Sequence, residues 1–228
     1  MNLAEHYNNL YAQSVKSILS DDYQLDDLID SPLDNRFGIT LLIRPSLEVK
    51  NNIQKFLNEL KEIEPNQYYY DNSDIHITIM SIISCYNGFK LESIQTSKYV
   101  ELIKKSLANI SNIEIEFKGI TASTSCLMIQ GFMNNDILNE LRNNLREKFK
   151  NSNLQQSIDQ RYTIQTAHAT VVRFKEKFHQ KNNFLEVVKK YREQNFGTFS
   201  VETVELVYND WYQRAKFVEK LSEFSIKN

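Results

Sequence analysis

The sequence predicts an α+β fold of two similar lobes, each turning one polar strand face toward a shared cleft. Three observations lead there. Helical and alternating apolar patterns take turns along the 228 residues. The order strand, helix, strand occurs once in each half. A four-residue pattern, His-x-Thr-apolar, stands in both halves, as "HITI" at 76–79 and "HATV" at 168–171. With four histidines and ten threonines in the chain, two such pairs arise by chance in roughly one sequence in a hundred of this composition.

The elements follow in order. Residues 1–19 place Leu3, Tyr7, Leu10, Tyr11, Val15, Ile18 and Leu19 on one helical stripe. The stretch "SDDYQLDDLIDSPLDNR" at 20–36 is acidic and broken by Pro32, which suits a loop. "FGITLLIRP" is the first strand, ended by Pro45. A helix follows with Ser46 as N-cap and Val49, Ile53, Phe56, Leu57 and Leu60 inward. "YYYDNSDIHITIMSII" returns as one strand, and 93–110 reads as helix. Strands over 113–117 and 127–131 come next, then a helix with Ile137, Leu138, Leu141, Leu145 and Phe149 inward. "TIQTAHATVVRF" is the second motif strand and 184–195 a further helix. "FSVETVELVYND" and "AKFVEKLSEFSI" close the chain as a hairpin-like pair.

Composition narrows the class. Hydrophobic residues at 41% and charged residues at 25% suit a globular chain with a substantial core. Twenty-seven Lys+Arg against 29 Asp+Glu leave a net charge of −2, so no global field recruits a long nucleic acid and any anion site must be built locally. The lysine-bearing helices are interspersed with acids and form no basic stripe. Cys85 and Cys126 lack CxxC spacing and read as core thiols. The opening has no signal-peptide design and no apolar run reaches the ~18 residues of a membrane span. The expectation is a soluble, cytoplasmic monomer.

Alternation on a strand puts His76 and Thr78 on one face, with Ile75, Ile77 and Ile79 opposite, and does the same for His168 and Thr170 against Ala167, Ala169 and Val171. If the two polar faces meet, two imidazoles and two hydroxyls surround one cleft. Two imidazoles suit a reaction that needs a base and an acid together, and threonine hydroxyls can hold charge on non-bridging phosphoryl oxygens. Thr is a poor metal ligand and no carboxylate shares the pattern, so no metal and no cofactor is expected.

These motifs resemble the paired His-x-Thr/Ser-x signatures of the two-histidine (2H) phosphoesterase superfamily, whose members include 2'-5' RNA ligase-like and cyclic phosphodiesterase enzymes. "FGITLLIRPS" resembles that family's opening strand, "SDIHITIMSI" and "AHATVVRF" its two motif segments, and "VETVELVYND" with "FSI" its closing strands. The resemblance covers 37–226. It implies a bilobal fold with two pseudo-twofold-related lobes, antiparallel sheets flanked by helices and motif strands facing a central cleft. It further implies metal-independent action on 2',3'-cyclic phosphates, 2'-5' linkages or related cyclic nucleotides, with His76, Thr78, His168 and Thr170 as the catalytic four. Rival readings are a nucleotide- or RNA-binding module of the same fold and an RNA 2'-5' end ligase. On this division 1–36 is an N-terminal helical extension and loop, packed outside a lobe or, alternatively, a lid whose acidic loop with Asp21, Asp22, Asp26 and Asp27 screens the cleft against long RNA, and 37–228 is the catalytic domain. Ala167 stands where that family often has proline.

The remaining candidates are secondary. Arg173 is a phosphate-binding candidate, although strand alternation turns it from the Thr170 face. Tyr86, Tyr208, Trp211 and Tyr212 are base-stacking candidates near strand ends. His6 and His179 lack the pattern and read as surface residues. The partner expected is a small nucleotide or RNA end, with no membrane and no long nucleic-acid track.

Overall fold

A computed structural model describes residues 2–226. The elements are α1 (Leu3–Leu19), β1 (Arg36–Ile43), α2 (Leu47–Ile63), β2 (Tyr68–Tyr69), β3 (Ile77–Asn87), α3 (Thr96–Leu107), β4 (Glu114–Ala122), β5 (Cys126–Met133), α4 (Ile137–Lys150), β6 (Ala169–Arg173), α5 (Lys181–Lys190), β7 (Asn195–Ser200), β8 (Thr203–Asp210) and β9 (Glu219–Ser225). Two antiparallel sheets result, a four-stranded one in the order β3-β1-β8-β9 and a five-stranded one in the order β2-β6-β5-β4-β7.

The lobes are not sequential halves. The C-terminal hairpin β8–β9 completes the sheet begun by β1 and β3, while β2 from the first half joins the second sheet. The stretch read as one strand, 68–83, is therefore two strands in different sheets. A turn separates them, in which Asp74 N and Ile75 N both donate to Asp71 O at 2.9 and 3.2 Å. This short crossover joins β2 at the edge of one sheet to β3 at the edge of the other, and that brings the motif strands β3 and β6 together.

The helices are built as their patterns dictate. Ser46 caps α2 by accepting from Val49 N at 3.4 Å, and Val49, Ile53, Phe56, Leu57 and Leu60 are all buried. Helix α5 starts three residues before the predicted span and ends at Lys190, because 195–200 is taken by β7. The predicted strand before His168 is also absent: residues 151–168 run as an irregular segment and β6 begins only at Ala169. That segment covers the open edge of β3, with Ser157 N donating to Ile82 O at 2.8 Å and Ser84 N donating to Ser157 Oγ at 2.7 Å. Cys126 is buried and Cys85 half-buried, and burial pushes the Cys85 thiol up to about 12, an unreactive value. No helix of the described residues is long and apolar enough to cross a membrane.

Helix α1 packs on the five-stranded sheet. Thr121 pairs with Met128, and Met128 with Thr170, so the three share one side of the sheet. Thr121 Oγ1 donates to Tyr7 O at 2.8 Å, and the Tyr7 ring meets Phe132 edge-on at 5.6 Å. The helix therefore packs on the sheet face that carries Thr170. The acidic loop behind it is fastened. Gln24 N donates to Thr124 O, Asp26 N donates to Phe174 O, both at 2.8 Å, and Ile29 is buried.

Candidate active site

His76 and His168 occupy equivalent places, each one residue before its strand begins. Burial alternates as the sequence requires: His76, Thr78, His168 and Thr170 are half-buried, while Ile75, Ile77, Ile79, Ala167, Ala169 and Val171 are fully buried. The two histidines share one environment, near enough that charge on His168 opposes charge on His76.

Each ring is held from behind. His76 Nδ1 lies 2.7 Å from Asp74 O; a carbonyl only accepts, so Nδ1 carries the proton and Nε2 is left bare. The Asp74 carboxylate fixes that turn by accepting from Ala215 N at 3.0 Å. His168 Nδ1 lies 2.6 Å from Thr166 Oγ1. Thr166, His168 and Thr170 stand two apart, so the face read as His-x-Thr extends one step further back.

Arg142 joins the two motif segments. It is fully buried on α4, with Nε on Ile79 O at 3.1 Å and Nη2 on Thr78 O and Thr166 O at 3.2 and 2.7 Å. One guanidinium thus bridges the first motif strand and the approach to the second. Burial lowers its pKa to about 10, which leaves it charged at neutral pH. The sequence reading missed it, although it lies four after Leu138 and three before Leu145, on the inward stripe.

The field at the site is positive. Burial pushes both histidines down to about 4, and the charges that add to this are cationic: Arg44, His168 and Arg173 on His76, Arg142 and His6 on His168. Arg44 is positioned by Glu205 at 3.2 Å and by Ser73 O at 2.8 Å. His6, expected on the surface, is half-buried near His168. His179 is 69% exposed, beside Glu64 at 3.7 Å. Among the described residues no group of three His, Cys, Asp or Glu could hold a metal ion.

The secondary candidates separate. Arg173 Nε donates to Tyr70 Oη at 2.9 Å, and its Nη1 is 3.8 Å from Asp26 of the acidic loop. Its charge reaches His76 from inside this network. Tyr212 is completely buried, with its hydroxyl donating to Asp26 at 2.8 Å, and Tyr208 stacks on Phe37 at 4.9 Å. Tyr212 is thus a packing residue, while half-buried Tyr208 borders an open hollow with Leu91 and Glu92. Trp211 has the guanidinium groups of Arg36 and Arg161 over its ring, at 4.6 and 4.4 Å. Tyr86 is 44% exposed and borders a hollow of about 350 Å³. That hollow shares Ser84, Ser157 and Arg161 with a smaller one, about 70 Å³, which reaches Thr78 and is bordered by exposed Tyr162. A hydroxyl-lined trough therefore leads outward from Thr78.

Two sheets meeting at paired, back-anchored His-x-Thr faces define the class of two-histidine phosphoesterases. The model of the family described as "AKAP7 2'5' RNA ligase-like domain" matches residues 37–226, and the chain belongs to that family. No curated protein matches the chain. Solved structures share the fold at low identity. TT0787 of Thermus thermophilus superposes with a TM-score of 0.59 at 13% identity, covering 83% of this chain and 98% of that one. LigT of E. coli complexed with 3'-AMP gives 0.56 at 10% identity, with 85% and 99% covered. A conserved protein of unknown function from Agrobacterium tumefaciens gives 0.56 at 10%, with 91% and 98% covered.

Proposed function

We propose that this chain is a metal-independent phosphodiesterase acting on a 2',3'-cyclic phosphate, a 2'-5' linkage or a related cyclic nucleotide. The observation that carries the reading is a pair of neighbouring histidines, each anchored through Nδ1 and one with a bare Nε2 fixed by its backbone contact, with arginines nearby. Their field attracts a phosphate anion and repels a divalent cation. One imidazole takes the proton of the attacking water while the O–P bond forms; the other, protonated, gives its proton to the ribose oxygen as the P–O bond breaks. Thr78 and Thr170 donate to the non-bridging oxygens and Arg142 adds charge behind them. The narrow trough beside Thr78 suits one nucleoside, and the fold neighbour LigT, solved with 3'-AMP, supports a ligand of that size.

The test is a turnover screen of 2',3'-cyclic mononucleotides, cyclic dinucleotides, 2'-5' dinucleotides and ADP-ribose cyclic phosphate in EDTA. Turnover undiminished by chelation and lost in His76→Ala supports the reading. Binding without turnover points instead to a nucleotide-binding module, and joining of RNA ends to a ligase. Activity abolished by EDTA and restored by a divalent ion rejects the mechanism.

A further inference from the structure

The acidic loop at 20–36 lies outside the residues matched by the family model, yet it is built into the support of the first motif. Ile29 is buried, and its carbonyl accepts from Arg214 Nη1 at 3.0 Å. Arg214 also closes the turn that follows β8. Its backbone N and its Nε donate to the two oxygens of buried Asp210, at 2.9 and 2.6 Å. The same guanidinium lies 4.9 Å from the centre of the Tyr212 ring, whose hydroxyl donates to Asp26 of the loop at 2.8 Å. One planar fork therefore sets where this turn stands against the N-terminal loop, and a lysine, with one compact ammonium, does not reproduce it.

The next residue carries that placement to the site. Ala215 N donates to Asp74 Oδ1 at 3.0 Å, and Ser73 Oγ donates to the same oxygen at 2.7 Å. Asp74 is 6% exposed, and a carboxylate so buried depends on such donors. The backbone carbonyl of the same residue takes the His76 Nδ1 proton at 2.7 Å. The N–H of that planar peptide belongs to Ile75 and points the opposite way, onto Asp71 O at 3.2 Å. The turn thus aims the carbonyl, and the carboxylate ties the turn to Ala215.

We propose that Arg214 and Asp74 are positioning residues for His76: through them the N-terminal loop holds that ring in the Nδ1-protonated form, with Nε2 left for chemistry. Every link is a directed hydrogen bond or a step of one residue along the chain. Arg214 donates to Ile29 O and Asp210, its neighbour Ala215 donates to the Asp74 carboxylate, and His76 donates to the Asp74 carbonyl. The catalytic meaning of this rests on the phosphodiesterase reading; the ring state itself does not.

The experiment is long-range ¹H–¹⁵N correlation of the full-length protein with ¹⁵N-labelled histidine at pH 7, alongside steady-state kinetics. The wild-type spectrum should show His76 with a protonated Nδ1 and a bare Nε2. In Asp74→Ala the turn loses its tie to Ala215, so His76 should shift toward the Nε2-protonated form while His168 stays unchanged. Arg214→Lys should produce the same shift in smaller measure, which keeps the test open should Asp74→Ala fail to fold. Asp74→Asn keeps an oxygen for Ala215 N and should retain the wild-type His76 pattern. With a substrate in hand, kcat of Asp74→Ala should fall roughly 10- to 100-fold with little change in KM, the scale seen when the outer partner of a ligating histidine is removed. A wild-type His76 protonated on Nε2 overturns the proposal, as does a His76 spectrum indifferent to folded Asp74→Ala or Arg214→Lys. So does an Asp74→Asn spectrum as disturbed as that of Asp74→Ala. Absence of turnover on every substrate, with the His76 shift present, would instead count against the phosphodiesterase reading alone.

Discussion

Each histidine has its Nδ1 committed to a hydrogen bond, which leaves Nε2 free for chemistry, and on the phosphodiesterase reading that sets what substitution should do. His76→Ala and His168→Ala should each lower kcat by ~10²–10⁴, the usual worth of a positioned general acid or base. Thr78→Ala and Thr170→Ala should cost about 10-fold or more, one donor each to the phosphoryl oxygens. His179→Ala, on an exposed ring beside Glu64, should leave kcat unchanged. Steady-state kinetics on these five variants checks the set, and a loss at His179 equal to that at His168 would break it. The same rings also make folding pH-dependent. Both are depressed to about 4 by burial, against an unfolded value near 6.5. Between those values the unfolded chain binds more protons, so the contribution is present above about pH 6.5 and is lost as pH falls through about 4. The size is up to roughly 3 kcal/mol per histidine, less for their residual exposure. Urea unfolding from pH 7.5 to 4 should show the decline, and His168→Ala should flatten it by about half.

At the scale of elements, the sequence displayed what periodicity encodes and concealed what only packing decides. The stripes of α2 and α4 and the alternation around both motifs were legible, because burial on one face leaves a period in the residues. The division of 68–83 between two sheets was not, since both strands are apolar and the turn at Asp71–Asp74 has neither Gly nor Pro. Nor was the irregular run before β6, where Thr163, Ile164 and Thr166 favour strand locally but face Arg146 and Arg142 in place of a partner strand. At the site, the two His-x-Thr pairs were legible by repetition, whereas Arg142 was hidden because a charged residue on an inward stripe reads as an interruption. It donates to three carbonyls, at Thr78, Ile79 and Thr166, and so ties the motif segments together. Arg142→Leu should therefore destabilise the fold by about 2–4 kcal/mol. Each carbonyl left buried and unpaired costs roughly 1–3 kcal/mol, offset in part by no longer burying a charge. Chemical denaturation measures it, and a variant as stable as the wild type would show that water replaces the guanidinium.

The whole molecule sets the electrostatics in which the pair works, and it moves the expected pH range. Composition alone places both limbs of the rate profile between about 5 and 8, where ordinary histidines titrate. The fold instead gathers Arg44, just past β1, Arg142 on α4 and Arg173 on β6 near the two histidines, in a chain whose net charge is −2. Desolvation and these cations favour the neutral rings, so in the free protein a protonated partner is scarce at pH 7. Because kcat/KM reports the free protein, it should be greatest toward the acid side and decline as pH rises from about 4 to neutrality. A bound phosphate anion reverses the sign of the nearest charge. An opposite charge within ~4–6 Å raises the pKa of a cationic acid by about 1–3 units, so in the complex the acid histidine keeps its proton to higher pH. The alkaline limb of kcat should therefore lie about 1–3 units above that of kcat/KM, and high ionic strength should narrow the gap by screening the anion's attraction. Measuring both profiles with one substrate from pH 4 to 9 decides it. Coincident limbs would mean that substrate binding does not set the proton on the acid, and the cationic cluster would then serve binding alone.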